Sequence, residues 1–64
     1  MNNNIKDIIR SNGLKTRFVI EKVGLSPSSF YEIMNGKTVP SLKNARKIAY
    51  VLGVSLVDVF PEDF

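Results

Sequence analysis

The apolar positions of this chain recur at helical intervals, and glycine divides them into short blocks. Ile5, Ile8 and Ile9 share one helical face behind an Asn-rich start able to cap it, and Gly13 offers a left-handed stop, which predicts a helix over about 3–12. Val19, Ile20 and Val23 form the inward stripe of a second helix, 16–23, closed by Gly24. Ser26 followed by Pro27 reads as an N-cap and then the residue that best tolerates the first helical position, so a third helix spans 27–34 and ends at Asn35-Gly36. Ser41 caps a fourth over 42–52, whose Leu42, Ala45, Ile48, Ala49 and Leu52 make a core stripe ended by Gly53. The run Ser55-Leu-Val-Asp58 has the capping-box pattern and opens a fifth helix over 56–60, which Pro61 terminates. No block alternates as an exposed strand would, and no linker, repeat or low-complexity tract interrupts the chain. The pattern therefore predicts one all-α domain over residues 1–64.

The third helix is unusual on its outer side. Stepping roughly 100° per residue from Ser28 brings Tyr31, Glu32 and Asn35 within roughly 60° of it, with Phe30, Ile33 and Met34 opposite. A face that is merely solvated more often carries Lys or Glu than Ser and Tyr, which are weaker helix formers. Short polar side chains let a helix approach a major groove, where Ser can donate or accept, Glu can accept from cytosine and an aromatic ring can touch a thymine methyl. Partial packing of Tyr31 on its own domain is the other reading of that residue.

Composition narrows the classes. The chain has 64 residues, with no cysteine and no histidine. A domain of this size buries only about 60% of its unfolded surface, so its core must be economical. The absences argue against a metalloprotein, a thiol enzyme or a disulfide scaffold. The carboxylates are scattered and the glycines stop helices without forming a phosphate-cradling loop, so neither an enzyme, a cofactor, a metal nor a small-molecule ligand is expected. No apolar run approaches the ~18 residues of a membrane span, and the start MNNNIKDIIR is too polar for a signal peptide, which makes a cytoplasmic chain the expectation.

Net charge is +3, with the signs segregated. All nine Lys and Arg precede residue 50, where only Asp7, Glu21 and Glu32 oppose them, while Asp58, Glu62 and Asp63 close the chain. An excess of six positive charges on the first fifty residues suggests a polyanionic partner. Candidate phosphate binders are Lys15, Thr16 and Arg17 opening helix two, Asn35, Lys37 and Thr38 after helix three, and Lys43 opening helix four. For any single lysine taken alone, ordinary solubility is the better explanation.

At this point the chain resembles the Cro/XRE-type helix-turn-helix family, the phage lambda repressor-like DNA-binding domains. The likeness is ungapped over about 14–60: EKVGLSPSSF matches the turn joining helices two and three, NGKTVPSL the family's N-G-K-x-x-P-S-L loop, and LGVSLVDVF its ending. The resemblance implies that the helix after Gly24 lies in the major groove of double-stranded DNA, with Pro27, Ser28, Ser29, Tyr31 and Glu32 as readers. It also implies phosphate contacts from Thr16, Asn35, Lys37, Thr38 and Lys43. Three positions depart from the family pattern. Thr16 stands where Gln is common, so the contact there is shorter or routed through water. Ile9 and Met34 replace a common Arg–Glu ion pair with apolar residues, a swap that can be neutral or stabilising, and are expected to touch. Pro27 replaces a frequent polar reader, which narrows the base-reading set to Ser28, Ser29, Tyr31 and Glu32.

So small a reader is expected to act as a homodimer on a palindromic operator, most simply as a repressor. Val57, Phe60 and Phe64 are the candidate self-complementary patch, with Phe60 better placed for the core than for an interface alone. An appended sensing domain is not expected, and regulation by occupancy or through a partner protein is, in a phage or other mobile-element setting by family analogy. The alternative is a protein-interaction module of the same fold, an antitoxin, anti-repressor or co-regulator, for which the acidic, apolar stretch 58–64 is the supporting feature.

Overall fold

Serine caps and glycine stops decide where the helices begin and end. A computed structural model describes residues 3–64 and contains, among them, α1 (Ile5–Ser11), α2 (Thr16–Val23), α3 (Pro27–Met34), α4 (Leu42–Leu52) and α5 (Leu56–Val59), with no strand. At α3, α4 and α5 the N-cap is Ser26, Ser41 or Ser55, whose Oγ accepts from the backbone N–H three residues on, at 3.2 Å each time. Each such cap stabilises by about 1 kcal/mol. Beyond α3 the chain reverses at Gly36, which has φ 79°. There the Lys37 N–H donates to the Glu32 carbonyl (2.9 Å) and the Gly36 N–H to that of Ile33 (3.0 Å), the paired closure that satisfies the last helical carbonyls.

The bounds of α2, α3 and α4 coincide with those predicted, whereas α1 and α5 are shorter. α1 starts at Ile5, with Asn3 on its first N–H while Asn4 bonds across the fold. Asn3 accepts at Oδ1 from the Ile5 N–H (3.1 Å) while its Nδ2 donates to the Ile33 carbonyl in α3 (2.8 Å). Asn4 is the N-cap residue but makes no side-chain cap bond. Its Nδ2 donates instead to the Asp58 carbonyl (2.8 Å), and its N–H to that of Val59 (2.9 Å). Of the Asn-rich start, Asn2 lies outside the described residues. α5 ends at Val59 because Phe60, at φ −126° and ψ 71°, has left the helix. A residue preceding proline is pushed out of the helical region, and Pro61 follows.

Val19, Phe30, Ile48 and Val59 are fully buried and draw α2, α3, α4 and α5 onto one core, which Ile5 and Ile9 of α1 complete. α4 packs against both α2 and α5. Ile9 belongs to this cluster and the half-buried Met34 packs against it. Leu42 departs from expectation: the period puts it on the core stripe of α4, but its side chain is 43% exposed. It is the first residue of the helix, one turn before Ala45, and projects past the edge of the core. Phe60 is 1% exposed and is a core residue.

Candidate nucleic-acid interface

α2 and α3 are joined by the turn Gly24-Leu25-Ser26, in which Gly24 takes φ 84°. A non-glycine residue would be strained at that angle, although space for a Cβ is open. The turn is fixed again at Ser26, whose hydroxyl both accepts from the Ser29 N–H and donates to the Ser29 Oγ at 2.9 Å. Phe30 and Ile33 anchor α3 from below, and Asn3 holds its last turn. α3 is thus tied down at both ends and along one side.

Its other side is free. Pro27, Ser28, Ser29, Glu32 and Asn35 are exposed. Ser29 is already engaged with Ser26, so its hydroxyl has one site fewer to offer than that of Ser28. Tyr31 is 43% exposed and meets Phe30 edge to face, ring centroids 6.4 Å apart at 83°. It also lines a groove with Arg17, Ile20 and Glu21 of α2 and with Pro27. The ring is thus partly packed on the domain, as one reading of Tyr31 expected, while part of it stays exposed. A ring positioned in this way loses little rotamer freedom on contact.

The phosphate candidates occupy two places. At the start of α2 the N-cap is Lys15, which makes no side-chain cap bond, in contrast to the serines that open the next three helices. The first N–H groups of α2 therefore lack that partner and carry the positive end of the helix dipole. Lys15 and Arg17 are exposed there and Thr16 is half-buried. After α3, Asn35, Lys37 and Thr38 are exposed on a loop held to the body by the buried Pro40, and Lys43 is exposed in the first turn of α4. The groove beside α3 brings Arg17, Pro27 and Tyr31 together. Of the candidate dimer residues, Val57 is 58% and Phe64 44% exposed. The Phe64 ring lies edge-on to Phe60 with centroids 5.7 Å apart.

Two features were not legible in the sequence. Asn3 and Asn4 act across the fold, and nothing local distinguishes such asparagines from ordinary helix caps. On the flank of α2 away from α3, a second groove is lined by Phe18, Lys22, Val23, Lys47, Tyr50 and Val51. The available signal was an aromatic residue lying off each apolar stripe: Phe18 beside that of α2, and Tyr50 beside that of α4. Among the described residues no helix is long and apolar enough to cross a membrane.

A family model described as helix-turn-helix matches residues 5–59, which takes in every helix from α1 to α5. No curated protein matches the chain. The chain belongs to the Cro/C1-type helix-turn-helix family, also called XRE, a family of DNA-binding regulators that are generally not enzymes. The all-helical architecture is that of its small DNA-binding domains.

Proposed function

We propose that this chain is a sequence-specific repressor that binds a palindromic operator as a homodimer, with α3 in the major groove. The observation carrying the proposal is the outer face of α3. Ser28, Tyr31 and Glu32 are exposed, short or ring-shaped, and mounted on a helix that is capped, anchored and pinned at its far end. In this reading Ser28 donates to or accepts from a base edge, the Tyr31 ring meets a thymine methyl, and Glu32 accepts from cytosine. Ser29 and Pro27 shape the approach of the helix. Lys15, Thr16, Arg17 and the free N–H groups of α2 hold phosphates before the reading helix, and Asn35, Lys37, Thr38 and Lys43 hold them after it. Repression follows from occupancy, by keeping polymerase from the same stretch of DNA.

The experiment is a selection of bound duplexes from a random DNA pool at near-physiological salt, with the complexes sized by light scattering. A recovered palindrome carrying two copies of the chain is the expected result. Weak, salt-sensitive binding without enrichment of any sequence would overturn base reading by α3. Enrichment of an asymmetric site carrying one copy would overturn the dimer.

A further inference from the structure

The groove between α2 and α4 has no part in the proposed contact with DNA. Its lining shares no residue with the groove beside Tyr31. It has a volume of about 620 Å³, with Phe18, Val23 and Val51 offering apolar surface. Tyr50 is 86% exposed at its side. Two lysines frame it: the Lys22 Nζ lies 5.6 Å from the centre of the Phe18 ring, and Lys47 comes from the facing helix. A trough that is aromatic within and cationic at its rim selects an occupant that is apolar and acidic together.

One such segment is present in this molecule. The stretch after α4 holds Asp58, Glu62 and Asp63 and no basic residue, and it displays Val57 and Phe64. We infer that the α2–α4 groove of one copy receives the acidic, aromatic C-terminal segment of a second copy. This inference rests on the homodimer proposed above and supplies the surface that meets Val57 and Phe64. Charge decides between the possible pairings. Setting tail against tail would gather the three carboxylates of each copy, and setting groove against groove would gather both pairs of lysines. Like charges brought together across an interface oppose association. Tail on groove sets each carboxylate cluster beside a lysine pair, with an aromatic side chain for the apolar floor. Around a two-fold axis the contact occurs twice, each tail in the other copy's groove, as an isologous interface requires.

Charge reversal tests this on the full-length chain. One variant combines Lys22→Glu with Lys47→Glu, and the other Asp58→Lys with Glu62→Lys. All four positions are exposed, and circular dichroism checks that both variants keep the helical fold. Sedimentation equilibrium at low salt is expected to show each variant self-associating at least about tenfold more weakly than the parent, since reversal places like charges in contact. Mixed one to one, the two are expected to associate with each other about as well as the parent does with itself. Tyr50→Ala is expected to weaken association without any change of charge. If the parent dimerises but the variants dimerise equally well, or if mixing restores nothing, the groove is not the docking site, and the dimer stands on another face. If the parent stays monomeric in solution and binds its selected duplex singly, the dimer and the groove fall together.

Discussion

On one flank α2 meets α3 at a groove of Arg17, Glu21, Pro27 and Tyr31, and on the other it meets α4 at a groove of Phe18, Lys22, Val23, Lys47, Tyr50 and Val51. Both are largely apolar in surface, with Ile20 also lining the first, but they differ in charge: the first carries Arg17 and Glu21, of opposite sign, and the second Lys22 and Lys47 with no acid. Residues 17 and 18 are neighbours, yet one turns to each side, because a helix turns roughly 100° per residue. A single short helix thereby serves two surfaces of different chemistry. The charge-balanced surface beside α3 adjoins exposed hydrogen-bonding side chains, and the cationic one suits an acidic partner that buries rings.

The two flanks share one core, and its removal has the largest expected effect. Phe30 is fully buried under α3, so Phe30→Ala should cost about 3–5 kcal/mol, much of what so small a domain has in reserve. Thermal melting by circular dichroism should lose its cooperative transition, and a sharp transition near the parental temperature would show that α3 does not depend on this anchor. Separating the flanks requires a gentler change. Ser28→Ala with Tyr31→Ala should lower affinity for the selected duplex by about 10- to 100-fold, while the helical signal and weak binding to unrelated DNA persist. Unfolding of that variant would instead place Tyr31 among the structural residues.

Next in size is the staple behind α3. Asn3→Ala removes a donor to the Ile33 carbonyl and an acceptor from the Ile5 N–H, each bond contributing about 1 kcal/mol. A fall of several degrees in melting temperature is expected, since about 1 kcal/mol shifts a domain of this size by about 4–8 °C. The smallest effect in free energy should come from Lys37→Ala with Lys43→Ala. Binding should weaken on all duplexes alike, and the slope of log affinity against log salt should flatten by about one unit per lost phosphate contact. A slope equal to that of the parent would remove both lysines from the phosphate set. It would also leave the positive charge of the first fifty residues to be explained by the lysines of the α4 groove.

The same contrast marks what could be read from the residues alone. Ser26-Pro27, Ser41, Gly24 and Gly53 are local signals, and the helices they bound lie where the sequence placed them. The face of α3 was legible because its composition departs from that of a solvated helix. Leu42 was misplaced because periodicity gives the direction of a side chain and says nothing of how far the core extends beneath it. The α4 groove was missed because Phe18 and Tyr50 stand on different helices, and only the packing of α2 on α4 brings them to one trough. Asn3 does reach the first N–H of α1, but the bonds of Asn3 and Asn4 across the fold were not legible, because their partners there, Ile33, Asp58 and Val59, lie far along the chain.

That distance has a consequence for how the domain comes into being. Asn4 and the carbonyls it binds, at Asp58 and Val59, are separated by almost the whole of the fold, 54 residues in the case of Asp58. Until these bonds form, α1 has only part of its final surroundings and that side of the core is open. Helices α2 to α4 can gather early through contacts near in sequence, but α1 docks only when it meets α5, and such distant closures are the slow ones. The domain is therefore expected to complete its fold in one late step, when α1 finds α5.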